Sequence, residues 1–371
     1  MDIPPQTRDA VGDGDGGGNV MADLKLLNVG VIGTGWVGGI RANACARNPL
    51  VDQLHIAEID PRRQDEIAAE TDPTSITDDW QTLIDDPAID LIVIAMTPET
   101  ARFPIVMAAL EAGKHVFVEK PIAPSIAEAE QAYALAASKD LKISIGYSRR
   151  FDPRYVYVRK ALMDGAIGEP VTCLISRHST RELGEKITGR SKMSPTSIGG
   201  VHDLDFILWC LQPRKPVRVY SQQAGKLFSQ KSDTPDHQWV MVTMDDGTTI
   251  TVGIGWILPA GYPNFVQAWI EVVGTEGALT IDDTHKEVQF NTVNDGIRYP
   301  MSSMPGEAVD HVFAGAMYDE TKHFLEAVAY NRPAMVTPDE AIQVMELYNA
   351  ADLSAERGEP VLLPRNDATT G

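Results

Sequence analysis

Residues 27–38 read Leu27-Asn28-Val29-Gly30-Val31-Ile32-Gly33-Thr34-Gly35-Trp36-Val37-Gly38. Leu27–Ile32 is the kind of run expected of a strand covered on both faces. It enters a GxGxxG turn, and a small-residue helix is expected from residue 37 to Asn48, stopped by Pro49. Each glycine has a task at such a turn. Gly33 permits the tight bend, Gly35 lets the backbone approach a pyrophosphate, and Gly38 lets helix and strand pack closely. The amides of Trp36 and Val37 then open a helix whose unpaired N–H groups favour phosphate. Glycine-rich turns are common, so the strand, the helix and a later acidic residue must all be present. A second strand is expected over residues 54–59 and ends at Asp60, 22 residues past Gly38. Asp60 is expected to accept hydrogen bonds from the adenosine ribose and to repel a 2′-phosphate, which favours NAD over NADP. Arg62 and Arg63 follow it and suit such a phosphate, so NADP stays open. Asp60 also stands where a helix cap before Pro61 would stand.

Outward from this turn, strands and helices alternate. Strands are expected at 91–95, at His115–Val118 and at 142–145, with helices at 104–112 and 125–138. Repeated β-then-α units imply a doubly wound parallel sheet. After Arg150 strands follow one another instead, at 170–177, Pro216–Ala224, 238–244, 249–256 and 264–273, with Asp245-Asp246-Gly247 as a hairpin signal. Closing helices are expected at 318–330 and Pro338–Arg357. The fold class is therefore α/β: an N-terminal Rossmann domain (24–148) and a C-terminal α+β domain with a large, mostly antiparallel sheet (149–371). Residues 1–23 are glycine- and aspartate-rich and are expected to form a disordered extension.

The chain has 371 residues, 43% hydrophobic, with a formal net charge of −20. Such a polyanion is repelled by nucleic acid and anionic membranes. No apolar run is long enough to span a bilayer and the start lacks a secretory signal, so a cytoplasmic protein is expected. Cys45, Cys173 and Cys210 form no metal-ligand pattern; buried reduced thiols and no metal are expected. On residues 238–244, Trp239 and Met241 point one way while Val240, Val242 and Met244 point the other. Trp269 shares its strand's polar side with Gln267 and Glu271. These faces suggest a homodimer or homotetramer built through the C-terminal sheet.

Further segments join the glycine turn in one pattern: Ala95-Met96-Thr97-Pro98, Glu111-Ala112-Gly113-Lys114-His115-Val116 and Glu119-Lys120-Pro121. Later come Gly146-Tyr147-Ser148-Arg149-Arg150-Phe151-Asp152-Pro153, Gly200-Val201-His202-Asp203-Leu204-Asp205 and Ser354-Ala355-Glu356-Arg357-Gly358. From about Leu26 to Pro364 the chain resembles the Gfo/Idh/MocA family of oxidoreductases, the glucose–fructose oxidoreductase and inositol dehydrogenase type. The resemblance implies that Lys120 is the catalytic lysine, that Glu119 contacts the cofactor near the nicotinamide ribose, and that Thr97 and Pro98 belong to the cofactor site. It also implies that His202 is the family's helix histidine.

The implied chemistry suits these residues. Taking a hydride from a carbinol carbon leaves a hydroxyl proton that must depart. A lysine at its free pKa of ~10.4 is a poor base at neutral pH. Burial and a nearby positive nicotinamide lower that value, so Lys120 can take the proton and return it in reduction, with His202 orienting the hydroxyl. Two departures stand out. The commonest family pattern has an aspartate four residues before the histidine, where this chain has Ile198; Thr196, Ser197 and Asp203 are the nearby polar alternatives. Arg102 stands where many members have a histidine. Substrate contacts are expected from Arg149, Tyr155, Arg177, His178 and Trp256.

The leading expectation is an NAD(P)-dependent dehydrogenase or reductase acting on a sugar, inositol or sugar derivative. An NAD-dependent elimination or glycoside-cleaving enzyme with transient oxidation is a second reading. A non-catalytic cofactor-dependent sensor is a third.

Overall fold

A computed structural model describes residues 25–228, 234–283, 288–294 and 296–364. The N-terminal extension expected over 1–23 lies outside them. The first part runs β1 (Leu27–Ile32), α1 (Trp36–Ala46), β2 (Val51–Ala57), α2 (Pro61–Thr71), β3 (Ser75–Thr77), α3 (Trp80–Asp85) and β4 (Leu91–Ile94). It continues through α4 (Arg102–Glu111), β5 (His115–Val118), α5 (Ile126–Ser138) and β6 (Ile143–Ile145). The strand order is β3-β2-β1-β4-β5-β6 and every neighbouring pair is parallel. Chain order reverses between β1 and β4, and the crevice beyond their C-terminal ends is where such sheets bind ligands. All four residues of β4 are buried, which explains its unbroken Leu-Ile-Val-Ile sequence.

The second strand differs from expectation. Its ladder with β1 ends at the Ile32–Ala57 pair, so Ile59 lies beyond the sheet and is 81% exposed. Asp60 does not end the strand; it caps α2, its carboxylate accepting from the Arg62 amide. Helix α2 escaped the periodicity reading because only Ile67 and Thr71 are buried along it.

After α6 (Pro153–Met163) come β7 (Pro170–Thr180), α7 (Arg181–Thr188), α8 (Val201–Cys210), β8 (Pro216–Ala224), β9 (His237–Met244), β10 (Thr249–Leu258), β11 (Val266–Gly274) and β12 (Ala278–Asp282). They form one sheet of order β12-β11-β7-β10-β9-β8, closed at one edge by the short strand Val361–Leu362. Only β7 and β10 pair in parallel; the other pairs are antiparallel. Asp245-Asp246-Gly247 makes the expected hairpin, with Gly247 at φ 92°. The closing helices are α9 (Met317–Ala329) and α10 (Pro338–Arg357), the latter opened by a Thr337–Glu340 capping box.

One face of this sheet is covered. Ile175, Val240, Val242, Ile250, Val252, Ile270 and Val272 join α8 and α10 in a core continuous with that of the first sheet. The opposite face leaves Leu174, Trp239, Met241 and Trp269 exposed. Cys45, Cys173 and Cys210 are buried free thiols, as expected. No helix among the described residues is long and apolar enough to cross a membrane.

Candidate active site

The glycine turn is built to be approached. Gly33 has φ +80°, and a Cβ there would meet the Met96 backbone at 2.6 Å. A Cβ on Gly38 would sit 1.9 Å from the Gly33 carbonyl oxygen, while one on Gly35 would meet nothing within 4 Å. Gly38 therefore serves helix–strand packing, and Gly35 leaves backbone open to the cavity. No side chain caps α1, so its first amides are free for an anion.

A cavity of about 640 Å³ opens from this turn, lined at one end by Glu58, Ile59, Asp60 and Arg62 and at the other by Thr97, Glu99, Lys120 and Arg190. Its span from the end of β2 to the end of β5 and its bare glycine wall suit a dinucleotide. Glu58, not Asp60, stands directly after β2. Its carboxylate accepts from the Thr34 amide at 2.7 Å and the Thr34 hydroxyl at 2.8 Å. These bonds and the Asp60 amide hold Glu58 ionised below the usual carboxylate range, against the opposing effect of burial. Its signal in the sequence is an acid directly after the strand, which is readable only with the strand ending at Ala57 and not at residue 59. Arg62 extends into solvent beside Asp60. Arg63 is committed inward, to the Thr34 carbonyl, Glu66 and Glu70.

At the far end, β5 stops at Val118 and delivers Glu119 and Lys120 into the crevice. Glu119 is buried and accepts two bonds from Arg41, at 3.0 and 2.7 Å. Arg41, itself fully buried on α1, also binds Glu320 of α9 and the Met317 carbonyl. One guanidinium thus ties the glycine-turn helix to the end of β5 and to the C-terminal domain. The Lys120 amine donates to the Ile198 carbonyl. Burial lowers its ammonium to about 8; Glu119 opposes the shift and Arg102 adds to it.

The Ile198 carbonyl belongs to a π-helical turn, Thr196–Gly200, that runs straight into α8. Such turns interrupt the regular ladder of helical bonds, and here a backbone oxygen faces the lysine. His202 lies one turn further on. Burial, then Lys120 and Arg149, push its imidazole well below the usual histidine range, so it is neutral at physiological pH. Asp203 is fully buried, 2.8 Å from Arg177 and 3.5 Å from Arg149. Ser197 bonds Ser194, and Thr196 is buried with its hydroxyl unpaired. Neither these groups nor Asp203 has a bond to Lys120 among the described residues.

Lys120 and His202 are brought together; the expected substrate contacts divide. Arg149 and Arg177 converge on Asp203 beside His202. Tyr155 is a core ring, 2% exposed and edge-on to Phe206, though its hydroxyl reaches Arg149. Two expectations do not hold geometrically. His178 alternates onto the open sheet face, where its ring meets Trp239 at 6.2 Å. Trp256 is sealed in an apolar cluster with Ile187, Ile198 and Phe228 beneath α7. Strand alternation counted from a correctly placed β7 separates Arg177 from His178.

Comparison with known proteins agrees with this geometry. Residues 27–147 match the family model described as "Oxidoreductase family, NAD-binding Rossmann fold", and residues 159–363 match its "C-terminal alpha/beta domain". The chain belongs to the Gfo/Idh/MocA oxidoreductase family. Its N-terminal domain is an NAD-binding Rossmann domain. Among curated relatives, the scyllo-inositol 2-dehydrogenase (NAD(+)) of Bacillus subtilis is 26% identical, covering 92% of this chain and 97% of that protein. Inositol 2-dehydrogenase 2 of Paenarthrobacter aurescens is 31% identical over 70% of this chain and 76% of its own length. Among solved structures, the Lactobacillus casei scyllo-inositol dehydrogenase with bound NAD(H) and scyllo-inositol shares the fold. Its TM-score is 0.77 at 22% identity, covering 92% of this chain and 100% of that one.

Proposed function

We propose that this oxidoreductase moves a hydride between NAD and a carbinol carbon of an inositol or a similar cyclic polyol or sugar. The observation that carries the reading is Lys120 on the wall of the dinucleotide cavity, across from Glu58, with its amine bonded to the turn that leads into α8 and the neutral His202. The dehydrogenase relatives named above support the substrate class.

When bound, NAD supplies the hydride acceptor. The chain's residues do the rest. The amides of Trp36 and Val37, opened by Gly35, hold the pyrophosphate. Glu58 receives the adenosine ribose hydroxyls, with Asp60 adding negative charge, so a 2′-phosphate is repelled. Arg63, already bonded to Glu66 and Glu70, offers it no free fork. Thr97, Pro98 and Glu119 wall the nicotinamide end.

Lys120, neutral above about pH 8, accepts the substrate hydroxyl proton as the carbonyl forms and gives it back in reduction. The Ile198 carbonyl takes the place of a carboxylate. It orients the amine without stabilising the ammonium as strongly as a full negative charge would. His202, kept neutral, accepts from or donates to a substrate hydroxyl. Arg149 and Arg177, held by Asp203, shape the wall behind it. We further infer that the open sheet face carrying Trp239, Met241 and Trp269 is the contact between copies of this chain.

The test is a panel of inositols and aldoses with NAD and with NADP, followed by absorbance of the reduced cofactor. NAD-linked oxidation abolished by Lys120→Met supports the reading. Turnover that survives this substitution sinks it.

A further inference from the structure

We propose that Arg102 is a positioning residue for Lys120, fixing from the first turn of α4 the peptide that carries the proton-transfer amine. The proposal rests on the role given to Lys120 above. Arg102 is 4% exposed. Among the described residues no carboxylate is hydrogen-bonded to it. Its Nε donates to the Met96 carbonyl at 2.8 Å; its Nη1 donates to the carbonyls of Glu119 at 3.1 Å and Lys120 at 2.7 Å.

These acceptors lie just past β4 and β5, adjacent parallel strands that end at Ile94 and Val118. All three carbonyls, of Met96, Glu119 and Lys120, lie beyond the last paired residues and depend on Arg102 for a buried donor. A planar guanidinium meets all three in one fixed geometry, which a single ammonium point charge does not. The loop bearing Thr97 and the loop bearing Lys120 are thereby locked to each other. Lys120 then reaches the Ile198 carbonyl from a backbone that cannot slide.

The same cation lines the cavity with Lys120. Charged and titratable groups around the amine come from several elements: Glu119 beside it, Glu99 before α4, Arg190 after α7 and His202 on α8. Glu119 and Glu99 favour the ammonium, and Arg190 disfavours it, as Arg102 does. Arg102 differs from Arg190 in being buried and bonded to the Lys120 peptide itself. Position and charge thus act through one side chain.

The experiment compares wild type, R102Q and R102K, each loaded with NAD. One readout is the pH dependence of polyol oxidation. The other is the pH dependence of Lys120 acylation by an amine-directed reagent, read by peptide mass spectrometry. In R102Q the pH at which Lys120 becomes reactive is expected to rise by about one pH unit, because a repelling charge has gone. In R102K that pH stays near the wild-type value while kcat falls about tenfold and KM changes less, because charge remains but the three-carbonyl clamp does not. An unmoved reactivity midpoint in R102Q overturns the proposal, even if its melting temperature falls. So does wild-type kcat in R102K, which also decides the matter if R102Q does not fold. Full activity in Lys120→Met would remove the proton-transfer role instead, and the acylation titration would still decide what Arg102 does to that amine.

Discussion

The Lys120 amine donates to the backbone carbonyl of Ile198, one helical turn ahead of His202. A backbone oxygen holds position but cannot take up a proton. In the reaction proposed above, Lys120 and not this carbonyl is therefore the proton acceptor.

This arrangement sets the pH dependence. With the ammonium lowered to about 8 by burial, oxidation needs the neutral amine and should speed up as pH rises through about 8. Reduction needs the ammonium and should slow over the same range. His202, already neutral, adds no limb between pH 6 and 8. Lys120→Met should cost at least about 100-fold in kcat in both directions. Initial rates from pH 6 to 10, in both directions, check the sign.

Glu58 and Asp60 divide the work that one acid was expected to do. Both line the cavity, but Glu58 holds the Thr34 amide of the glycine turn while the Asp60 carboxylate is engaged in capping α2. Glu58→Gln should weaken NAD binding about tenfold and narrow the preference over NADP, since an uncharged amide no longer repels a 2′-phosphate. Asp60→Ala should instead lower the melting temperature, as a lost helix cap does. Cofactor titrations and thermal unfolding of both variants separate the two effects; equal loss of NAD affinity would refute the division.

Arg41 is the one cation bonded to both Glu119 and Glu320 among the described residues. Arg41→Met leaves two buried carboxylates without it and should destabilise the protein by about 3–5 kcal/mol. Burial already holds the Glu320 carboxyl above its ordinary range. A carboxyl raised in the folded state favours folding at low pH, and that contribution is lost as pH rises through its folded value. Removing Arg41 raises it further, so the deficit should be smaller at pH 5 than at pH 8. Unfolding curves at both values measure this; a pH-independent deficit would contradict it.

Much of this was legible in the sequence because local chemistry and tertiary role coincide there. The GxGxxG turn, the apolar β4, the β9–β10 hairpin and the capped α10 each carry their own geometric signal. Lys120 and His202 were found through resemblance, since a lysine after a strand and a histidine on a helix have no local signature of catalysis. What stayed hidden depends on contacts distant in the chain. Glu58 needed the true end of β2, which only its pairing with β1 fixes. His178 lies on the other face from Arg177 because one residue of strand phase decides which face a side chain joins. Trp256 shares Arg177's face but is sealed by Ile187, Ile198 and Phe228 from distant segments. Arg102 looked like a departure from a pattern; its role appears only when the ends of β4 and β5 stand side by side.

The last prediction concerns the open sheet face. Register places Trp269, Ser176, Gly253 and Trp239 in one row across β11, β7, β10 and β9. The Trp239 ring lies over Gly253, where a Cβ would meet it at 2.5 Å, so the aromatic is held in place while 40% exposed. Copies of a chain with net charge −20 repel one another, and association through this face must overcome that repulsion. Raising salt from 50 to 500 mM, as rough working values, should therefore strengthen assembly by screening. Trp239→Glu should break it with little loss of thermal stability, because the ring supports no core. Sedimentation velocity at both salt concentrations reads the outcome. A wild-type chain that stays monomeric at high salt, or a Trp239→Glu variant that still assembles, would remove this face as the contact.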